Sequence, residues 1–263
     1  MNWKLTKTLF IFVFILVNIG LVIIYVNKVT ESQINESESE NEVNFQQEEI
    51  KIAKDILNKD VKGIKMRMIT ASSKNFSKYA EDKSSLNTEN SGKVLKGDIN
   101  STVNVNDNNF SDLKKYLMND IYKGKLYQLS DVSNDTVTYE QTYNDYPTMN
   151  NSKARLKFNI SNNEAKDYEQ TIMDKIEPAN SDNNKAQQII TPRKAIETLY
   201  FNRYLNANDE VVDARLGYYS VVKETNVQLL QPNWEIRVKH LNQDNVKTYY
   251  IEATSNNPKV IDH

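Results

Sequence analysis

The sequence has 263 residues, enough for one large or two small cores. It contains no cysteine, which excludes disulfides, thiol nucleophiles, lipobox acylation and cysteine-ligated zinc or iron-sulfur centres. Residues 1–42 carry three lysines and five glutamates, so the rest holds 30 charges of each sign; a neutral remainder lacks the basic excess that binding to a phosphate backbone needs, and nucleic acid is set aside as a partner.

From Leu9 to Val26 the chain reads LFIFVFILVNIGLVIIYV, with no charge and Asn18 as its one strongly polar side chain. As a helix this run covers roughly 27 Å, close to the hydrocarbon thickness of a bilayer. A secretory signal has a shorter apolar region and a small-x-small cleavage site, which Tyr25-Val26-Asn27-Lys28-Val29 does not offer. The pattern therefore predicts an uncleaved transmembrane helix over residues 9–26. Lys4 and Lys7 precede the span and Glu31 with its neighbours follows it, so the N-terminus is expected in the cytoplasm and the C-terminal bulk outside the cell membrane. A cytoplasmic tail of residues 1–8 is too short for an enzyme or a DNA-binding domain. Within the span, Asn18 and Gly20 are the candidate contacts to a partner helix, because an amide can hydrogen-bond across helices and a glycine lets two backbones approach.

Residues 27–44 read as an acidic linker, with Glu31, Glu36, Glu38, Glu40 and Glu42 in a polar stretch free of aromatics. A helix is expected from a cap at Asn44 to about Asn58, on the apolar spacing of Ile50, Ala53 and Leu57. Ile64, Met66 and Met68 alternate with cations and predict a strand, and residues 72–91 read as a polar loop.

Beyond this point an apolar pattern recurs after about 80 residues. Ser111 precedes a helix with Leu113, Tyr116, Leu117 and Ile121 on one face; Thr191, followed by Pro192, precedes another with Ile196, Leu199, Tyr200 and Tyr204 in the same spacing. Each helix is followed by a strand-like run (residues 135–143 and 210–223). Next come an alternating strand (Ala154 to Ile160; Trp234 to His240), an Asn-rich turn (Asn162-Asn163; residues 242–245) and a last strand (168–173; 248–253). The predicted fold class is thus α+β: an N-terminal transmembrane helix followed by two tandem helix-plus-antiparallel-meander subdomains, over residues 45–180 and 181–263.

Few residues suggest chemistry. His240 lies at a strand end beside Lys239 and reads as surface or partly packed; His263 is terminal. Gly92 to Gly97 has the glycine spacing of a P-loop, but Asp98 stands where the phosphate-binding lysine belongs. Residues 106–112 have the composition of a calcium loop without its glycine, and read as a loop ending in a helix cap. Paired carboxylates for glycan hydrolysis cannot be picked out from sequence alone. In Tyr218-Tyr219 and Tyr249-Tyr250, alternation places one ring of each pair in the core and the other toward solvent. No catalytic residue, cofactor or metal ligand is assigned, and the chain is not read as an enzyme.

The opening MNWKLTKTLFIFVFILVN, the short acidic linker, and the late NWEIRVKH and TYYIEAT resemble the YycI (WalI) family of Gram-positive bacteria, a likeness that spans the whole chain. The resemblance implies tandem α+β subdomains of the kind shared with YycH and no catalytic motif. It also implies a membrane-anchored accessory regulator that binds the sensor histidine kinase WalK (YycG) together with YycH, tuning the WalK-WalR (YycG-YycF) two-component system and hence cell-wall metabolism. Two other classes fit the same layout: an extracytoplasmic glycan hydrolase, and a PepSY-like ligand-binding or inhibitory domain.

Overall fold

The computed structural model describes residues 14, 17, 18, 20, 21, 42–107, 109–180, 184–222, 226–241, 243 and 245–262. The fold is mixed α+β, mostly sheet with few helices. Most of the expected span 9–26, all of the tail 1–8 and the linker up to residue 41 lie outside the described residues. Phe14, Val17, Asn18, Gly20 and Leu21 are helical, and among the described residues no helix is long and apolar enough to cross a membrane. Residues 45–263 form one compact unit and residues 1–44 another.

The helix expected from Asn44 to Asn58 is replaced by shorter pieces. Residues 45–49 form a turn in which Glu49 takes a positive φ of 57°, which stops helical propagation. The chain then runs as β1 (Lys51–Ile52), pairing in parallel with Glu210 and Val211, before a single helical turn, α1 (Lys54–Leu57). The alternation around Met66 does mark extended chain, split into β2 (Lys65–Met66) and β3 (Ile69–Ser73) because the two pieces find different partners. The stretch read as a loop holds α2 (Ser77–Ala80) and β4 (Leu86–Glu89), the latter paired with β5 (Val94–Asp98). Gly92 and Gly97 thus belong to a hairpin. At Gly92 the turn needs a φ of 84°, and at Gly97 an added Cβ would sit 2.6 Å from the Tyr168 ring.

Two longer helices follow the sequence pattern. In α3 (Ser111–Asn119), Leu113 and Leu117 are fully buried; the first turn is capped by Asp107, whose carboxylate accepts from the Ser111 amide at 3.1 Å, so the cap comes from Asp107 and not from the Ser111 side chain. In α4 (Pro192–Phe201) the Thr191 hydroxyl accepts from the Lys194 amide at 3.2 Å and Pro192 occupies the first turn, as the sequence predicts.

The remaining strands are β6 (Tyr127–Val132), β7 (Thr136–Tyr143), β8 (Tyr146–Pro147), β9 (Arg155–Ser161), β10 (Glu164–Gln170), β11 (Met173–Pro178), β12 (Gln187–Gln188), β13 (Glu210–Tyr219), β14 (Val227–Lys239), β15 (Val246–Glu252) and β16 (Val260–Asp262). With β1 to β5 they form two large sheets and a small two-stranded one, β12 with β2. Sheet I has the order β4-β5-β10-β9-β7-β6, with β8 hooked onto β7; its β9–β10 hairpin turns through Asn162 and Asn163, both at positive φ. Sheet II has the order β1-β13-β14-β15-β16, and β3 joins it by pairing with the first half of β14 and with β11. The pairing cuts across the 180/181 division: β1, β3 and β11, all earlier in sequence, are strands of the sheet built mainly from residues 210–262. Sheet I is formed wholly by residues 86–170.

Each sheet is apolar on one face. Leu95, Val137, Leu156, Phe158 and Tyr168 meet Leu113 and Leu117 of α3 in one core. On sheet II, Leu216, Trp234, Ile236 and Ile251 are buried on the side where α4 brings Ala195, Ile196 and Leu199. The Trp234 indole N–H donates to the Ile190 carbonyl at 2.9 Å, so its burial leaves no orphan donor. At about 1.5–3 kcal/mol per fully buried large apolar side chain, these two cores dominate the stability of the fold.

Candidate functional site

Successive side chains of a strand point to opposite faces, so covering one face of each sheet with a helix turns the polar residues of each to the other face. Gln128, Glu140 and Arg155 are direct cross-strand neighbours on β6, β7 and β9. Arg215, Glu235 and Tyr250 stand in the same relation on β13, β14 and β15. The structure sets these two polar faces opposite each other and leaves a cleft of about 690 Å³ between them.

Arg215 joins the two sheets at the floor of that cleft. Its Nη1 donates to Glu140 Oε2 at 2.8 Å and its Nη2 to Glu140 Oε1 at 3.3 Å; Nε and Nη2 donate to the two Glu235 oxygens at 2.6 and 3.1 Å. Both carboxylates are buried, and Glu140 also accepts from the Asn150 amide at 3.1 Å. Burial by itself disfavours a charged guanidinium; the Glu235 hydrogen bond and the charges of Glu140 and Glu235 more than reverse this, and hold Arg215 above its ordinary pKa. The Tyr250 hydroxyl is likewise pushed upward, first by burial and then by the adjacent Glu235 carboxylate. A single guanidinium that engages all four carboxylate oxygens is a bidentate clamp on both sides, which fixes the sheets relative to each other.

Close to the clamp the sheets also meet through backbone. The Met149 amide donates to the Tyr218 carbonyl at 2.8 Å, and Asn151 Nδ2 donates to Gln228 Oε1 at 2.7 Å. Here Tyr219 stacks on Tyr250 with ring centroids 4.0 Å apart, against Met149. The expectation that one tyrosine of each pair would face solvent is therefore corrected: Tyr218, Tyr219, Tyr249 and Tyr250 are all buried, because sheet II is covered on both faces.

A second polar cluster surrounds His240. Its Nδ1 lies 2.9 Å from Asp209 Oδ2 and its Nε2 lies 2.8 Å from the Tyr249 hydroxyl. A carboxylate acceptor at Nδ1 fixes the tautomer in which Nδ1–H donates and Nε2 accepts. The buried Asp209 also accepts from the amides of Asn206 and Leu241, at 2.8 and 3.1 Å. The ring thus ties the turn before β13 to the end of β14, and its outer nitrogen meets a phenol where a histidine-activated nucleophile would present an aliphatic hydroxyl or a thiol. The partly packed reading of His240 is the one the geometry fits.

Asn18 and Gly20, the residues singled out from sequence, lie in the helical residues near the N-terminus. Asn18 Nδ2 donates to the Phe14 carbonyl of its own helix at 2.7 Å, and a Cβ added at Gly20 would meet nothing within 4 Å. Neither residue is near the cleft in sequence, and the clamp of Glu140, Arg215 and Glu235 is not picked out by sequence reasoning. Its one signal is Glu235, a charge set between the apolar Trp234 and Ile236.

No curated protein matches this chain. Among solved structures, the crystal structure of an uncharacterized protein from Eubacterium rectale ATCC 33656 is similar, at 11% sequence identity and a TM-score of 0.48, covering 81% of this chain and 91% of that one. The family model described as YycI protein matches residues 30–254.

Proposed function

This chain belongs to the YycI family, and on that premise we propose that it is a membrane-anchored accessory regulator that binds the sensor histidine kinase WalK (YycG) together with YycH. Membership supports a regulatory role in that two-component system at the level of the family; the partners themselves are our inference. Residues 9–26 serve as the anchor, residues 1–8 remain in the cytoplasm, and the two sheets with their covering helices act outside the cell membrane, with Asn18 and Gly20 meeting a partner helix. In this reading an effect on kinase output passes through the helix or through bound partners.

The observation that carries this reading is the family match across residues 30–254, which takes in the whole of both sheets except the last strand. A non-catalytic role is supported by the clamp: the best-buried carboxylates of the cleft, Glu140 and Glu235, spend their oxygens on one arginine. The test is crosslinking in bacterial membranes followed by affinity purification of the full chain and of a form lacking residues 1–30. The full chain is expected to recover the kinase and YycH, and the shortened form to lose part of that recovery. Recovery of neither partner by the full chain would overturn the proposal.

A further inference from the structure

Four consecutive residues of β6, Gln128 to Asp131, border the cleft. A cavity lying against one face of a strand touches every second residue; in β6 the register shift between Leu129 and Asp131 breaks that alternation, and the cleft meets four residues in succession along the strand's edge. That edge is open: β6 pairs with β7 on one side, and among the described residues no strand pairs with the other. Edge strands are ordinarily blunted by charge, proline or a bulge; β6 has a register shift between Leu129 and Asp131 but also carries exposed Leu129 and Val132 and a single charge, Asp131. Arg155 and Arg237 are exposed in the cleft and form no ion pair among the described residues, although each has a carboxylate as its cross-strand neighbour, Glu140 and Asp213. Glu140 is already committed to Arg215.

Size and charge limit what can enter. A strand residue fills about 160 Å³ at a rise of ~3.3 Å, a strand spacing of ~4.8 Å and a sheet thickness of ~10 Å. A cleft of about 690 Å³ therefore holds roughly four residues of a single strand, matching the four residues of β6 that border it. Three arginines face four carboxylates there (Asp131, Glu140, Asp213 and Glu235), so a dense polyanion is repelled while one or two isolated carboxylates find free guanidinium forks.

We propose that this cleft receives an extended peptide segment of a partner protein, added as a strand to the open edge of β6 and carrying one or two acidic side chains that pair with Arg155 and Arg237. Main-chain hydrogen bonds supply the affinity and the arginines select the side chains. The proposal does not depend on which protein supplies the segment.

The experiment is fluorescence anisotropy with the full chain in detergent and a labelled Val/Thr peptide carrying two glutamates. Binding is expected, weakened about tenfold by the double substitution Arg155→Ala and Arg237→Ala, and by a similar factor when alternate peptide amides are N-methylated. The methylation arm uses the unaltered protein, so it decides the question even if a variant misfolds. The proposal is overturned if no binding is seen at millimolar peptide, or if the methylated peptide binds as well as its parent. Equal binding by a lysine-substituted peptide or by linear polyphosphate overturns it too.

Discussion

Glu140, Arg215 and Glu235 show how much can depend on one side chain. Replacing Arg215 by Met keeps most of the aliphatic stem but leaves two buried carboxylates facing each other without their donor. Losing one partner of a buried ionic cluster costs about 3–5 kcal/mol, because the remaining charge is neither solvated nor paired. Arg215→Met is therefore expected to lower the unfolding free energy measured by urea denaturation by that amount, and adding Glu140→Gln and Glu235→Gln should restore part of it; no recovery would locate the loss in packing rather than charge. Tyr139 presents the opposite case. Its ring is buried in the sheet I core, its hydroxyl has no hydrogen-bond partner among the described residues, and burial pushes its pKa up to about 12. Tyr139→Phe removes an unsatisfied polar atom and should raise stability by about 1 kcal/mol in the same assay, whereas a loss would reveal a partner for the hydroxyl. The sequence shows the charge of Glu235 but not its burial: Glu235 alternates with Trp234 and Ile236 and reads as solvent-facing, and only the second sheet laid over that face makes it buried.

At the scale of elements, what was legible followed periodicity. The spacing of Leu113 and Leu117, and of Ile196 and Leu199, placed α3 and α4, and the Ala154 to Ile160 and Trp234 to Val238 alternations placed β9 and β14, since each has one face against an apolar core. The failures share a physical cause in long-range pairing. Residues 44–52 have a helical pattern but turn at Glu49 and then pair in parallel with β13 through Lys51 and Ile52, and the polar residues 86–89 form a strand because β5 offers an edge. The pairing of β8 with β7, and the bridge from Thr148 to Tyr218, depend on a glycine that sequence alone gave no reason to notice. A Cβ at Gly217 would lie 2.5 Å from the Pro147 carbonyl oxygen, a backbone atom that cannot swing aside as a side-chain tip can. Gly217→Ala should therefore destabilise by about 1–3 kcal/mol by forcing the two sheets apart at this junction, read as a lower urea midpoint. An unchanged midpoint would mean that the junction has slack.

For the whole molecule, chain order and spatial order disagree in an informative way. Sheet I and its core, from Phe76 to Ile172, come from one uninterrupted stretch, while sheet II draws β1 and β3 from before that stretch and β11 and β13 to β16 from after it. The first unit is thus inserted into the second, and a cut at 180/181 would strip β1 and β3 of their partners β13 and β14. A fragment of residues 74–172 keeps every strand of sheet I, helix α3 and the core they share, and at about 100 residues it lies within the size of independently stable domains. It is expected to unfold cooperatively in urea with a strand-rich circular dichroism spectrum. A fragment of residues 45–180 keeps the pairing of β3 with β11 but leaves β1 and β2 without their partners β13 and β12, so it should gain little stability over the shorter one, and limited proteolysis should trim its N-terminal end back toward β3. If residues 74–172 instead remain unfolded, the contacts made through Arg215, Tyr218 and Gln228 are required for sheet I to form, and the two sheets fold as one unit.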